Sequence, residues 1–161
     1  MSYDKYDEIT FENFRGLEFF KKSLYGSERF AYVVLSIDSE IDGNSVIVNA
    51  LFHPSRSYVY NSHSNSVELL THEKYHFKIT ELFARRARQK LSELNSFSTA
   101  KIESIVDEAR QNERKFQKKY DYDTFHSYVY SEQKKYQKEL DSLLSLLSDF
   151  ENPKITIDGK N

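Results

Sequence analysis

Two of the chain's five histidines stand four residues apart, with a glutamate directly after the first: His72-Glu73-Lys74-Tyr75-His76. On a helix, residues four apart lie on one face, one turn apart, so both imidazoles can reach a single ion. Neutral imidazole is a good zinc ligand, with bonds near ~2.0–2.1 Å. Glu73 falls about 100° round the same helix, beside the ion rather than on it. From there its carboxylate can take a proton from a water polarised by the ion and later pass it to a leaving amine. The pattern predicts metal-assisted hydrolysis, with His72 and His76 as metal ligands, Zn²⁺ as cofactor and Glu73 as general base and acid.

A catalytic zinc usually takes three protein ligands and keeps one position open. The chain has no cysteine, so the third ligand must be a histidine or a carboxylate. Glu81 follows His72 by nine residues and points to the opposite side of a continuous helix, which gives it either a supporting role behind the ligands or a structural one. His126 lies in Tyr120-Asp121-Tyr122-Asp123-Thr124-Phe125-His126-Ser127, a stretch without helical periodicity. A loop there can fold back over the first helix and present His126. Asp121 and Asp123 are either ligands themselves, carboxylates that orient His126, or parts of an exposed turn. His53, at a strand end, and His63, in a polar loop, are the other candidates for the third ligand, and both read rather as exposed histidines.

The elements that must position these groups follow from patterning. Residues 9–14 read as a short strand and Arg15-Gly16 as a turn. Residues 30–38 and 45–53 are rich in β-branched and aromatic residues, and Asp42-Gly43-Asn44 between them is a hairpin signal. Arg56 to Tyr60 is a short extended piece that would lie near the cleft and align a peptide. The pattern is then helical from Val67 to about Leu94, with Asn65 and Glu68 as a capping pair. A second helix begins near Ser98 or Thr99, and Tyr120 to Tyr130 is expected to be a loop. A third helix runs from about Ser131 to Phe150 with a stripe of Tyr136, Leu140, Leu143, Leu144 and Leu147. Residues 155–157 read as a frayed strand. The layout is α+β: about 1–62 rich in strand, about 65–150 helical, within one domain spanning 1–161.

Composition excludes several classes. Lys plus Arg number 23 and Asp plus Glu 25, a net charge of −2, which argues against a nucleic-acid partner held by backbone charge. Arg85-Arg86-Ala87-Arg88-Gln89-Lys90 reads as a solvated helix face. No apolar run reaches the ~20 residues of a membrane-spanning helix. The first residues show no leader pattern, so the chain reads as cytoplasmic if complete, or as periplasmic, envelope or secreted if a leader was removed.

Four stretches carry a resemblance to a family of bacterial secreted zinc-dependent proteases. They are residues 9–16, Ser55-Arg56-Ser57-Tyr58-Val59, the helix Leu69 to Phe77 continuing through Ile79, Glu81, Ala84 and Arg85, and Tyr120 to His126. The resemblance implies a zincin-like fold, peptidase activity on a peptide or protein substrate, and His126 as a member of the metal site. Tyr120 would then serve as a phenol donor to the oxyanion of a tetrahedral intermediate. Tyr75, Lys78 and Ser127 depart from the family pattern, at positions where it has Gly, Asp and Gly. The competing expectation is a metal-binding or helical interaction module that keeps the fold without catalysis.

Overall fold

The residues flanking Gly43 pair as their patterning predicts. In the computed structural model, which describes residues 1–16, 31–59 and 66–157, the strands are β1 (Ala31–Tyr32), β2 (Leu35–Asp42), β3 (Ser45–Phe52), β4 (Tyr58–Val59) and β5 (Lys154–Thr156). The helices are α1 (Val67–Ser92), α2 (Thr99–Thr124) and α3 (Tyr130–Leu146). β2 and β3 form an antiparallel hairpin in which Asp42 pairs with Ser45, and Gly43 makes the turn at φ +63°. A side chain is strained in that conformation and glycine is not. β5 adds to the other edge of β3, giving the order β2-β3-β5, while β1 and β4 form a separate two-stranded ribbon.

Alternate residues of β3, Val46, Val48, Ala50 and Phe52, are buried. α1 packs on this sheet, and α2 and α3 pack on α1. Every residue from Ile79 to Arg85 is buried, nearly two turns, so α1 is covered on all its faces. One hydrophobic cluster runs from Ile9 and Phe14 through β3 and α1 to Ile102, Leu140 and Leu144. The fold is thus α+β, with a small antiparallel sheet and three long helices. Among the described residues, no helix is long and apolar enough to cross a membrane.

Several local expectations change. The segment expected as a strand at 9–14 contains a 3-10 turn, Phe11–Asn13, because Thr10 and Asn13 cap it. The Thr10 hydroxyl accepts from the Glu12 N–H, and the Asn13 amide oxygen accepts from the Thr10 N–H at 2.8 Å. Arg15-Gly16 is extended rather than a turn, and the Gly16 N–H donates to the Ser57 carbonyl at 2.7 Å. A Cβ on Gly16 would lie 2.8 Å from that oxygen, so the approach requires glycine. The strand expected over 30–38 breaks at Val33-Val34, where the Val34 N–H donates to Ser57 Oγ. Ser66 caps α1 by accepting from the Leu69 N–H; the expected capping residue, Asn65, and also His63 lie outside the described residues. The loop expected from Tyr120 is instead the last turn of α2 as far as Thr124. The third helix ends at Leu146, before a separate 3-10 turn, Ser148–Phe150. The terminal strand is not frayed: the Ile157 N–H bonds the Asn44 carbonyl and Ile157 is buried.

The basic run of α1 is also different from a solvated face. Arg85 and Arg88 are 5 % and 2 % exposed and share the buried Glu81 carboxylate. Arg88 Nη1 donates to Glu81 Oε1 at 2.8 Å, and Arg85 Nε donates to the same oxygen at 2.9 Å. Their remaining donors reach the Val48 carbonyl on β3, the Leu144 carbonyl in the last turn of α3 and the Phe150 carbonyl beyond it. Carbonyls at a helix end have no partner within the helix, and guanidinium groups supply one here. Glu81 is therefore structural, one of the two roles that its position opposite His72 leaves open. Glu81→Ala should lower the free energy of unfolding by about 3–5 kcal/mol, because it leaves two buried cations uncompensated. Lys90→Ala, which removes an exposed pair with Glu108, should cost less than about 1 kcal/mol. Urea denaturation measures both; equal effects would move the anchoring of α3 away from Glu81.

Candidate metal centre

His72 and His76 lie one turn apart on α1, and Asp121 faces them from the last turn of α2. Their donor atoms converge. His72 Nε2 and His76 Nε2 are 3.1 Å apart, and Asp121 Oδ1 is 3.2 Å from the first and 2.9 Å from the second. A tetrahedral ion with bonds of about 2.0–2.1 Å holds its donors about 3.3 Å apart, so the triangle fits one face of such a site. These three residues form a group that could hold a metal ion.

The outer nitrogens fix which atoms point inward. His72 Nδ1 lies 3.3 Å from Gln133 Oε1 on α3, and His76 Nδ1 is hydrogen-bonded to Gln117 Oε1 on α2. The Gln117 amide nitrogen donates to the His76 carbonyl at 2.9 Å and to Glu113 Oε1 at 2.8 Å. The Gln133 amide nitrogen donates to the Glu68 carbonyl. Both amide oxygens must therefore face the imidazoles as acceptors. Each histidine carries its hydrogen on Nδ1 and presents a lone pair at Nε2. Two such lone pairs and a carboxylate oxygen, about three ångströms apart, repel one another unless a cation lies between them.

A proton can also answer that need. Burial opposes the charged form of Asp121, but the imidazoles of His126, His72 and His76 gathered around it hold its carboxyl well below the usual carboxylate range. Burial likewise opposes protonation of His76, yet the hydrogen bond and charge of Asp121 raise it to about 9. For His72 burial prevails and lowers it to about 4. The cluster thus draws positive charge to itself, and a divalent ion supplies more of it than one proton.

Beside the trio opens a cavity of about 470 Å³, lined by His76, Asp121, His126, Glu73 and, from the sheet side, residues 31–35 and Tyr58. Glu73 is 5 % exposed. Burial pushes its carboxyl up to about 7, while the charges of His76 and His126 and the Val33 backbone hydrogen bond hold it back. Glu73 therefore stands near neutrality, where a group exchanges protons most readily.

The sequence-predicted residues separate into distinct places. The structure brings His72, His76 and Glu73 together at one site. His126, expected as the third ligand, lies past the end of α2, where Phe125, His126 and Ser127 all have positive φ. Its Nδ1 is 3.3 Å from Asp121 Oδ1, and it is half-exposed on the cavity wall. The donor that completes the trio is Asp121, one of the two carboxylates with an open role. Asp123 instead bonds Lys119 and Tyr136. Tyr120 is fully buried and stacks on the His72 ring at 4.7 Å with an interplanar angle of 14°. Its hydroxyl reaches the His72 carbonyl at 3.5 Å and is not on the cavity wall. Its place here is in the packing behind His72. His53 pairs with Ser36 Oγ. Tyr75 and Lys78 turn away from the trio and both bond Asp141 on α3. Gln117 and Gln133 escape sequence reading, although Glu113, Gln117 and Asp121 at four-residue spacing mark a polar helix face.

Comparison with family models, with curated proteins and with solved structures gave no match, so the meaning of this site rests on its own geometry. One divalent transition-metal ion should bind per chain. At a free concentration 100-fold above Kd the linkage is about 2.7 kcal/mol, or roughly 5–10 °C in Tm for a domain of this size. His72→Ala and Asp121→Ala should each abolish the shift, and His53→Ala should keep it, when Zn²⁺, Co²⁺ and Mn²⁺ are compared by thermal melting and metal analysis. Full binding by Asp121→Ala would remove Asp121 from the donor set.

Proposed function

We propose that the protein is a zinc-dependent metallopeptidase, hydrolysing peptide or related amide bonds. The observation that carries this reading is the convergence of His72 Nε2, His76 Nε2 and Asp121 Oδ1 beside a cavity that also holds Glu73. Two imidazoles and a carboxylate are a recurrent donor set of catalytic zinc, and three protein donors leave one position for water or substrate. The same reading makes the chain a zincin-like relative of the secreted zinc-dependent proteases that its H-E-x-x-H helix resembles.

Zn²⁺, when bound, acts as a Lewis acid that polarises a carbonyl and acidifies water. The chain's own residues do the rest. Glu73 takes the proton of the attacking water on its carboxylate and delivers it to the nitrogen of the leaving amine. Its burial raises its basicity, and Val33 fixes its orientation through the backbone. Gln117 and Gln133 hold the two imidazoles in the tautomer that leaves Nε2 available. His126 orients Asp121, in place of the ligand role given to it above, and Tyr120 positions the His72 ring from below. The backbone of residues 31–35 walls the cavity with near-extended chain, a surface suited to an extended peptide.

Glu73→Gln should retain one zinc per chain and lose about 10²–10⁴-fold in hydrolysis, the range for removing a general base. A proteome-derived peptide library read by mass spectrometry, with zinc content measured on the same samples, tests this. Wild-type protein that carries zinc and cleaves nothing in the library would identify a metal-binding module instead.

A further inference from the structure

One carboxylate in the cavity wall has entered so far only as an acceptor that orients Gln117. Glu113 lies two turns before Asp121 on the same face of α2, with Gln117 between them, and all three line the cavity. Its Oε1 accepts from Thr80 Oγ1 at 2.9 Å and from the Gln117 amide at 2.8 Å. Its second oxygen takes no hydrogen bond among the described residues. Across the cavity stand Tyr32 and Tyr58, their rings stacked at 5.7 Å. Aromatic faces and a carboxylate both attract a cation. Among the described residues no lysine or arginine lines the cavity to neutralise them.

We propose that Glu113 is the specificity-determining residue of this cleft, selecting peptides that carry a lysine or arginine near the bond that is cut. The inference rests on the peptidase reading. Eight helical residues separate Glu113 from Asp121, about 12 Å along the axis. An extended peptide covers that span in about four residues. Part of the span is taken up by the long side chain itself, so the cation belongs within about three residues of the scissile bond. The carboxylate receives the ammonium or guanidinium, and the two tyrosines flank its aliphatic stem.

Two measurements test this separately from the reading beneath it. The first is fluorescence anisotropy with zinc-supplemented Glu73→Gln protein, using a peptide with one lysine and its twin with norleucine in that place. The lysine peptide should bind about tenfold tighter, the scale of one charge-assisted contact open to solvent. In Glu73→Gln/Glu113→Gln the ratio should fall to about one. The glutamine keeps an acceptor for Thr80 and Gln117, and any general loss of binding cancels in the ratio. The second is cleavage of the peptide library by wild type and Glu113→Gln. Cleavage enriched near Lys and Arg in wild type, and not in the variant, supports the proposal. Cleavage without that enrichment, or equal anisotropy ratios in the two proteins, overturns it and leaves the peptidase reading in place. No cleavage with an intact anisotropy ratio overturns the peptidase reading and keeps Glu113 as a cation-binding residue.

Discussion

α1 is covered on every face, yet it carries His72, Glu73, His76, Glu81, Arg85 and Arg88 among its buried positions. Burying an ionisable group is costly unless a partner meets it, so the elements around α1 must bring those partners. This requirement shapes the rest of the structure. Near the C-terminal end of α1 the chain supplies both signs itself. Two arginines surround Glu81 and direct their remaining donors to β3, to the last turn of α3 and to the chain after it. Towards the N-terminal end the partners are Asp121, Gln117 and Gln133, and all of them present acceptors to the imidazoles. The first cluster is closed by residues of the chain. The second has its acceptors in place and could hold a cation drawn from outside.

That asymmetry explains how one helix serves two purposes. The Glu81 cluster ties sheet, central helix and α3 into one unit, and the resulting rigidity fixes where His72 and His76 point. The metal cluster is itself an inter-helix staple. Its donors come from α1 and α2, and the hydrogen bonds behind them reach α2 and α3. An ion there would couple metal affinity to the packing of all three helices, since a preformed site requires them to be in register. The run of left-handed residues Phe125 to Ser127 belongs to this arrangement. Non-glycine residues pay for that conformation, and here it turns the chain sharply so that His126 reaches back to Asp121.

The parts of this design that read clearly from sequence are those with an apolar or a chemical period. The hairpin at Gly43 and the body of α1 follow from patterning, and the pairing of His72 with His76 follows from their spacing of one turn. The last turn of α2 did not, for a specific reason. Its inward face is Glu113, Gln117, Tyr120, Asp121 and Thr124, which is helical in spacing but mostly polar, so a search for apolar repeats passes over it. Reading that stretch as a loop freed His126 to serve as third ligand and left Asp121 undecided. The buried arginines of α1 are hidden from sequence reading for a similar reason. Glu81, Arg85 and Arg88 share one face at spacings of four and seven, a signal of an internal ion network that charge counting alone does not register. The glutamines behind the imidazoles are legible only once three helices are assembled, because their meaning lies in contacts across 41 and 61 residues of chain.

The position of Glu73 completes the argument. One residue after His72, it cannot share the face that meets α2 and α3, and it turns towards the sheet side and Val33. The helices therefore hold the trio from one side, and the extended segment at 31–35 meets the Glu73 carboxylate from the other. The cavity lies between these two walls. A carboxylate placed among the helices would be sealed in with the trio, while one at the exposed start of α1, such as Glu68, lacks the burial that raises Glu73. A helix buried on all faces, passing between a sheet and two helices, places His72 and His76 on one face and Glu73 on the next, with the cavity opening between them.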